Sequence, residues 1–420
     1  MTGSTIDHLV ATIVFLSATL LFLSLFNQTI QTAVLYQRHR YLATKCSDLL
    51  DNMLLSPGIP SDWGTNSNKN LTGFGLQDPI ANQDPTFAAY KLSPFSLMRL
   101  LSSAGDRVYY GPTGKWYSNV SWGFGGGYFL LQEGDCINYS LASKLLGVNG
   151  TYGFQLTVKP TVTVTIVEDT RVTSHLRLNI TVEGLGGPLN GANIEYLIFW
   201  TDSAGFYKNI TKTDALGFVY LDFNGTNGLP NITKVSLNQT AYTFIAKANL
   251  GGLYGIGYLS REIVTKAGNI IPFIESYENG IILLAHKWGK NDPGNQSQGA
   301  LHYEATFYML SESFIPVRTS ITNSTGHVNY GQGWPYRTVQ LPPEARSSPG
   351  FLVVVYKFGN EYGMVVMPWG IGTIGLSVIF GDDPSGKEWV ATDIRQVLIG
   401  NIAYQAKLAL WSLGGFQVVG

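Results

Sequence analysis

The sequence predicts a mainly β protein tethered by a long N-terminal transmembrane α-helix. Three observations carry that class. Leu9–Phe26 is a run of 18 apolar or small residues without a charge. Between about Leu156 and Ser260, apolar and polar residues alternate with period two, broken at short intervals by turns rich in Gly, Asn and Asp. Charged residues make up only 13% of the 420-residue chain, about half the share usual in soluble domains, while Gly reaches 48 and aromatics 13%. With 45% apolar residues, such a chain can bury a sizeable core and is not a disordered one. Lys+Arg 27 against Asp+Glu 28 leaves a net charge of -1, without the concentrated basic surface that phosphate binding needs. No nucleic-acid partner is expected.

At 1.5 Å per residue Leu9–Phe26 spans about 27 Å, close to the hydrocarbon thickness of a bilayer. Met1–His8 holds no Lys or Arg, and Phe26-Asn27 offers no small-x-small exit, which favours a retained anchor over a cleaved signal peptide. The helical pattern continues from Ile30 to Ser56, where Leu35, His39, Leu42, Cys46, Leu49 and Met53 recur at steps of four and three as one stripe. Pro57-Gly58 ends it and Pro60 bars its resumption. Residues 1–56 thus read as one helix, its first half in lipid and its second half against protein. That protein is either the chain's own domain or a neighbouring copy.

Sidedness rests on two opposed signals. Arg38, Arg40 and Lys45 follow the span, and the positive-inside rule alone would keep the body in the cytoplasm. Asn-x-Ser/Thr sequons point outward. They begin at Asn27, Asn70, Asn119, Asn138, Asn149, Asn179, Asn209, Asn224, Asn231, Asn238, Asn295 and Asn323, which is 12 of 26 asparagines. Chance would give about four, an excess that suits an exported chain carrying N-linked glycans. The basic residues start twelve positions past the span, at the edge of that rule's reach, so the sequons decide. The body is expected outside a single-pass cell-membrane anchor, with Asn27 bare at the membrane boundary. Cys46 and Cys136 suffice for one disulfide, which an exported location permits, although Cys46 on the stripe is equally consistent with a buried free thiol.

Beyond the anchor, residues 57–157 read as α+β. A turn-rich stretch, Gly58–Asn70, precedes short helices at Pro94–Ser102 and Leu141–Leu146 and aromatic strands at Val108–Tyr110 and Tyr128–Leu131. Residues 158–262 read as a β-sandwich, with Leu176, Leu178, Ile180 and Val182 inward and Arg177, Asn179 and Thr181 outward. The same alternation, weaker, turns Asn209 outward in Lys208–Thr211. Residues 263–420 read as a second β-sandwich domain with two hairpins. Phe351–Phe358 pairs with Met364–Trp369, and Thr392–Ile399 pairs with Ile402–Trp411 around Gly400-Asn401. In the last strand Ile402, Tyr404, Ala406, Leu408 and Leu410 form an apolar face, an alternation that favours strand over helix.

Motifs for catalysis, cofactors or metals are not found. The six histidines are scattered without metal-ligand spacing, and Gly123–Gly127 has no following Lys-Ser/Thr, so it reads as a strand connection. Asp382-Asp383-Pro384 and Asn291-Asp292-Pro293-Gly294 read as turns. A non-enzyme is expected. A glycosidase pair assembled from distant carboxylates is the enzymatic alternative.

Several segments carry a family resemblance. The uncharged span running into a helix is followed by Asp48-Leu49-Leu50, Leu54-Leu55-Ser56-Pro57-Gly58-Ile59-Pro60-Ser61-Asp62-Trp63, Tyr90–Phe95 with Arg99-Leu100-Leu101, and Leu146-Gly147 through Tyr152–Leu156. Together these resemble archaeal pilin-like, membrane-anchored surface proteins. Pro188–Ile194, Asp202–Gly205 and Thr213–Phe218 resemble prokaryotic Ig-like modules of invasin or carboxypeptidase-regulatory type, which serve as spacers or adhesive units. The resemblance implies a pilin-like α+β domain followed by an Ig-like sandwich. It implies a structural subunit of a cell-surface assembly, a homo-oligomer such as a pilus-like filament or envelope. A monomeric anchored adhesin, or a surface protein binding carbohydrate or protein, is the alternative, and a secreted hydrolase the remoter one.

Overall fold

The structure, a computed structural model, describes residues 2–64, 70–79, 90–100, 107–110, 115–121, 128–132, 137–200, 206–233, 242–261, 270–278, 281–288, 300–309, 316–317, 326–327, 337–340, 350–358, 361–369, 377–400 and 402–414. For 107–132 and 270–369 only the strands and their pairing are described. The chain is mainly β with one long apolar N-terminal helix.

That helix, Thr2–Leu55, runs 54 residues, about 81 Å at 1.5 Å per residue. It stops where the expected breakers stand. Gly58 adopts φ +83°, a left-handed conformation that an L side chain resists, and a Cβ there would meet the Trp63 indole at 2.7 Å. Trp63 is fully buried, and its Nε1 donates to the carbonyls of Pro57 (3.0 Å) and Gly75 (3.1 Å). The chain leaving the helix is thus folded back over the helix end and held by one indole.

The lower half of the helix lies on a four-stranded antiparallel sheet, ordered Val378–Gly381, Tyr152–Pro160, Ile402–Ser412, Ala391–Ile399. The last two strands form the expected hairpin, with Ile399 opposite Ile402 and Gly400 at φ +59°, the left-handed value of a tight two-residue turn. Cross-strand rows carry the inner face: Leu408 pairs Leu156 and Asp393, and Ala406 pairs Val158 and Arg395. Ile402, Tyr404, Ala406, Leu408 and Leu410 are all buried, as their alternation predicts. The rest of this face is covered by the segment after the helix. The Phe74 ring lies 6.4 Å from that of Phe380, and Tyr139 lies 5.0 Å from Phe154.

Pairing does not follow chain order. The sheet takes one strand from the middle of the chain, Tyr152–Pro160, and its other three from the last residues described. A division between 157 and 158 therefore runs through a strand. The segment taken as a separate C-terminal domain, 263–420, sends its closing hairpin back under the N-terminal helix. Its strands Ile270–Glu278 and Ile281–Trp288 share a six-stranded sheet with Arg107–Tyr110, Lys115–Ser121 and Tyr128–Gln132, Ile270–Glu278 lying parallel to Tyr128–Gln132. A second sheet of that unit holds Ala300–Met309, Gly350–Phe358 and Glu361–Trp369, the latter two paired as the other expected hairpin.

Between these segments lies a two-sheet sandwich. One sheet is Phe218–Phe223, Leu176–Gly184, Val162–Glu168, with the short strand Gly187–Pro188 beside Leu176–Gly184. The other is Leu253–Arg261, Tyr242–Leu250, Asn193–Trp200, Phe206–Lys212. Leu176, Leu178, Ile180 and Val182 enter one core with Ile194, Tyr196, Ile198, Phe223, Phe244 and Ala246. Strand Leu253–Arg261 closes against Val162–Glu168 at backbone distance, where Gly257 is buried and a Cβ on it would stand 2.1 Å from the Val164 carbonyl oxygen. Only glycine permits that approach. Gly257→Ala is therefore expected to destabilise the sandwich by about 1–3 kcal/mol, the usual cost of forcing extra volume into a packed core, measured by thermal unfolding. An unchanged midpoint would contradict the packing.

Candidate functional site

The anchor helix divides into two surfaces. From Leu9 to Phe26 every described large apolar side chain is exposed, Phe15 at 70% and Phe22 at 69%, and none of the described residues covers them. It is the one helix among the described residues long and apolar enough to cross a membrane. From Leu42 onward the stripe is buried: Leu42, Cys46, Leu49, Leu50, Met53 and Leu54 all face the sheet side. The stripe packs on the chain's own domain. His39 marks the transition, its ring meeting Trp389 edge-on at 4.1 Å.

A polar clamp fixes this contact. Arg395 Nε and Nη2 donate to the two Asp51 carboxylate oxygens at 3.0 and 3.2 Å, Nη2 also to Ser47 Oγ at 2.9 Å, and Nη1 to Asp393 Oδ1 at 2.8 Å. Tyr90 Oη donates to Asp51 Oδ1 at 3.1 Å. The bond to Asp51 raises the Arg395 pKa further, so it is charged throughout the accessible range. Burial acts to raise the Asp393 carboxyl, but hydrogen bonds from Ser47, the Ile394 N–H and Arg395 outweigh it and hold the pKa below the usual range. Composition and periodicity did not single out these residues. The available signal was Asp393 and Arg395 falling on the same alternation as buried Val397 and Ile399, and Ser47 and Asp51 lying four apart on one helix edge.

Cys46 is a free, buried thiol on this interface, its Sγ 3.5 Å from the Leu408 carbonyl and 3.6 Å from that of Ala391. Desolvation, with Asp393 nearby, pushes its pKa up to about 11. Cys136, the other half of the expected bridge, lies outside the described residues.

The sequon asparagines separate by environment. Asn70, Asn138, Asn149 and Asn231 are exposed. Asn138 also caps the short helix Tyr139–Leu145, its Oδ1 accepting from the Leu141 N–H at 2.7 Å. Asn119 lies on Lys115–Ser121, while Asn238, Asn295 and Asn323 lie outside the described residues. Asn179 sits half-buried on the outer face of its sheet, between inward Leu178 and Ile180. Asn224 is half-buried, its Oδ1 accepting from the N–H of its own sequon threonine, Thr226, at 2.9 Å. Asn209 departs from expectation. It pairs with Tyr196 across the sheet and turns to the core side, donating from Nδ2 to Tyr207 Oη at 2.7 Å, while Ile210 is 58% exposed. The cause is the buried Tyr196 hydroxyl, which needs a polar neighbour inside the sheet.

One further cluster has the residue types of a nucleophilic set. Ser174 Oγ lies 2.8 Å from His175 Nδ1, His175 Nε2 contacts the Asp222 carboxylate, and Arg177 Nη2 donates to Asp222 at 2.6 Å. Ser174 and His175 are chain neighbours beside an isolated bridge from His175 to Thr233. The cluster ties the segment before Leu176 to strand Phe218–Phe223. Among the described residues no group of three or more His, Cys, Asp or Glu could hold a metal ion.

Two outcomes follow for the clamp. Arg395→Met leaves Asp51 and Asp393 without their cation and is expected to cost about 1–3 kcal/mol, the penalty of unpaired half-buried polar groups, read in denaturant unfolding. Because Asp393 titrates below its unfolded value, its share of that stability is complete above about pH 4 and is lost as pH falls through the lowered pKa; the wild-type minus Arg395→Met difference should shrink there. Cys46 should resist maleimide at neutral pH in the folded chain and react after denaturation without reductant. A thiol that appears only after reduction would show it bridged.

No family model and no curated protein matches this chain. Among solved structures, one match is the apo structure of Bacteroides uniformis beta-glucuronidase 3, at 10% identity over 49% of this chain and 24% of that chain, with a TM-score of 0.14. The matched part spans about a quarter of the length of that protein, and at such a score the likeness carries neither fold nor function.

Proposed function

We propose that this chain is an exported, N-glycosylated structural subunit of a cell-surface assembly, anchored in the membrane by Leu9–Phe26. The observation that carries the reading is the division of the helix. Its lower apolar stripe is spent on the chain's own sheet, so the continuous apolar surface left for helix packing between copies lies on the exposed upper half. Inside lipid there is little hydrophobic drive between helices, and close approach needs small residues. Ala11, Ser17, Ala18 and Ser24 supply them. The clamp at Arg395 fixes the helix to the body, so that helix contacts would set the spacing of the bodies. The excess of sequons, with exposed acceptors at Asn70, Asn138, Asn149 and Asn231, supports an extracellular body.

The monomeric anchored adhesin differs in one measurable respect. Single cysteines placed at positions 11, 17, 18 and 24 and oxidised in native membranes should give disulfide-linked dimers at a subset of positions on one helix face. Monomers at all four would overturn the assembly reading. Glycopeptide mapping of the same material checks sidedness: glycans at the exposed sequons and none at Asn209 are expected.

A further inference from the structure

The sandwich has two outer faces, and they differ. The sheet containing Tyr242–Leu250 is covered outside around Leu197, Phe199 and Ile245, which point away from the sandwich core and are nonetheless 1%, 5% and 0% exposed, while Ile210 on its edge strand is 58% exposed. The sheet containing Leu176–Gly184 is open. Its central outward row runs Tyr220, Asn179, Val167 directly across three strands. Tyr220 is 60% exposed and Val167 54% exposed, one on each edge strand, with Asn179 on the central strand between them. Directly opposed residues on one face stand about 4.5–5.5 Å apart at Cβ. Asn179 is therefore flanked by an open aromatic ring and an open aliphatic side chain. The sequon's hydroxyl residue, Thr181, points to the same face two positions on.

We propose that this row is the seat of a glycan on Asn179, with Tyr220 and Val167 receiving the apolar face of its first sugar. This rests on the exported, glycosylated reading above. A pyranose has one face of axial C–H bonds, which packs on an aromatic ring and an aliphatic side chain while its hydroxyls stay in water. Arg177 steadies the platform: its guanidinium carbon lies 5.6 Å from the Tyr220 ring centroid and its Nη2 bonds Asp222, which holds one side of the ring and leaves the rest open. The donor is of the lipid-phosphate-linked glycan class. Attachment forms the bond from sugar C1 to Asn179 Nδ2 and breaks C1–O to the donor phosphate, and the amide proton leaves to that phosphate. Asn209 is the internal contrast, since its Nδ2 is turned inward and bonded to Tyr207.

The test is a double-mutant cycle in the full-length chain from a glycosylating archaeal host. Asn179→Gln should lower the thermal midpoint of the sandwich by a few degrees. In a Tyr220→Ala background the same change should have almost no effect, and in Tyr220→Phe the full loss should return, because the ring and not the hydroxyl makes the contact. An equal loss with and without the ring would overturn the platform. Glycopeptides showing Asn179 bare while Asn138, Asn149 and Asn231 are occupied would overturn this proposal alone. A chain bare at every sequon would overturn both it and the glycoprotein reading.

Discussion

A helix of 54 residues with one half exposed and apolar must be gripped by its other half, and the contact of Leu42–Leu54 with the closing hairpin is that grip. Apolar burial supplies most of the attraction, roughly 25 cal/mol per Å², but it is non-directional and would tolerate a slid or rotated helix. Arg395 removes that freedom. Its planar fork engages both oxygens of Asp51, and its remaining donors reach Ser47 and Asp393, so one side chain sets rotation and height together. Cys46 adds a small buried surface between two strand carbonyls within the contact.

The grip shapes the rest of the chain because it is made from both ends. Strand Ile402–Ser412 pairs with Tyr152–Pro160 across some 250 residues, and everything between must leave the helix-bearing sheet and return. The sandwich and the strands from Ile270 to Trp369 are thereby loops of one long closure. Non-local pairing of this kind is slow to form. The helix face cannot be covered before the last strands exist.

The sandwich shows how one architecture treats its faces differently. Close approach at Gly255 and Gly257 brings its two sheets together along one edge, one sheet is covered outside as well as inside around Leu197, Phe199 and Ile245, and the other keeps its outer face for solvent. Two tyrosines mark the two faces: Tyr196 is buried with Asn209 turned inward beside it, while Tyr220 faces outward with its ring held at one side by Arg177.

The anchor, the helix stop at Pro57-Gly58, the stripe from Leu42 to Met53, the alternation of Leu176–Val182 and the closing hairpin at Gly400 were all determined by the sequence alone. Each is a local pattern: a run of apolar residues, a period, or a backbone-breaking pair, readable without knowing its partner. The partners were decided only in the tertiary structure. That the closing hairpin belongs to the helix, that Arg107–Gln132 strands join Ile270–Trp288 and that Arg395 seats on Asp51 all depend on contacts between residues far apart in the chain. No period records such a contact. A polar residue on a buried alternation, such as Arg395, is the trace it leaves, and its meaning is supplied by the side chain that comes to meet it.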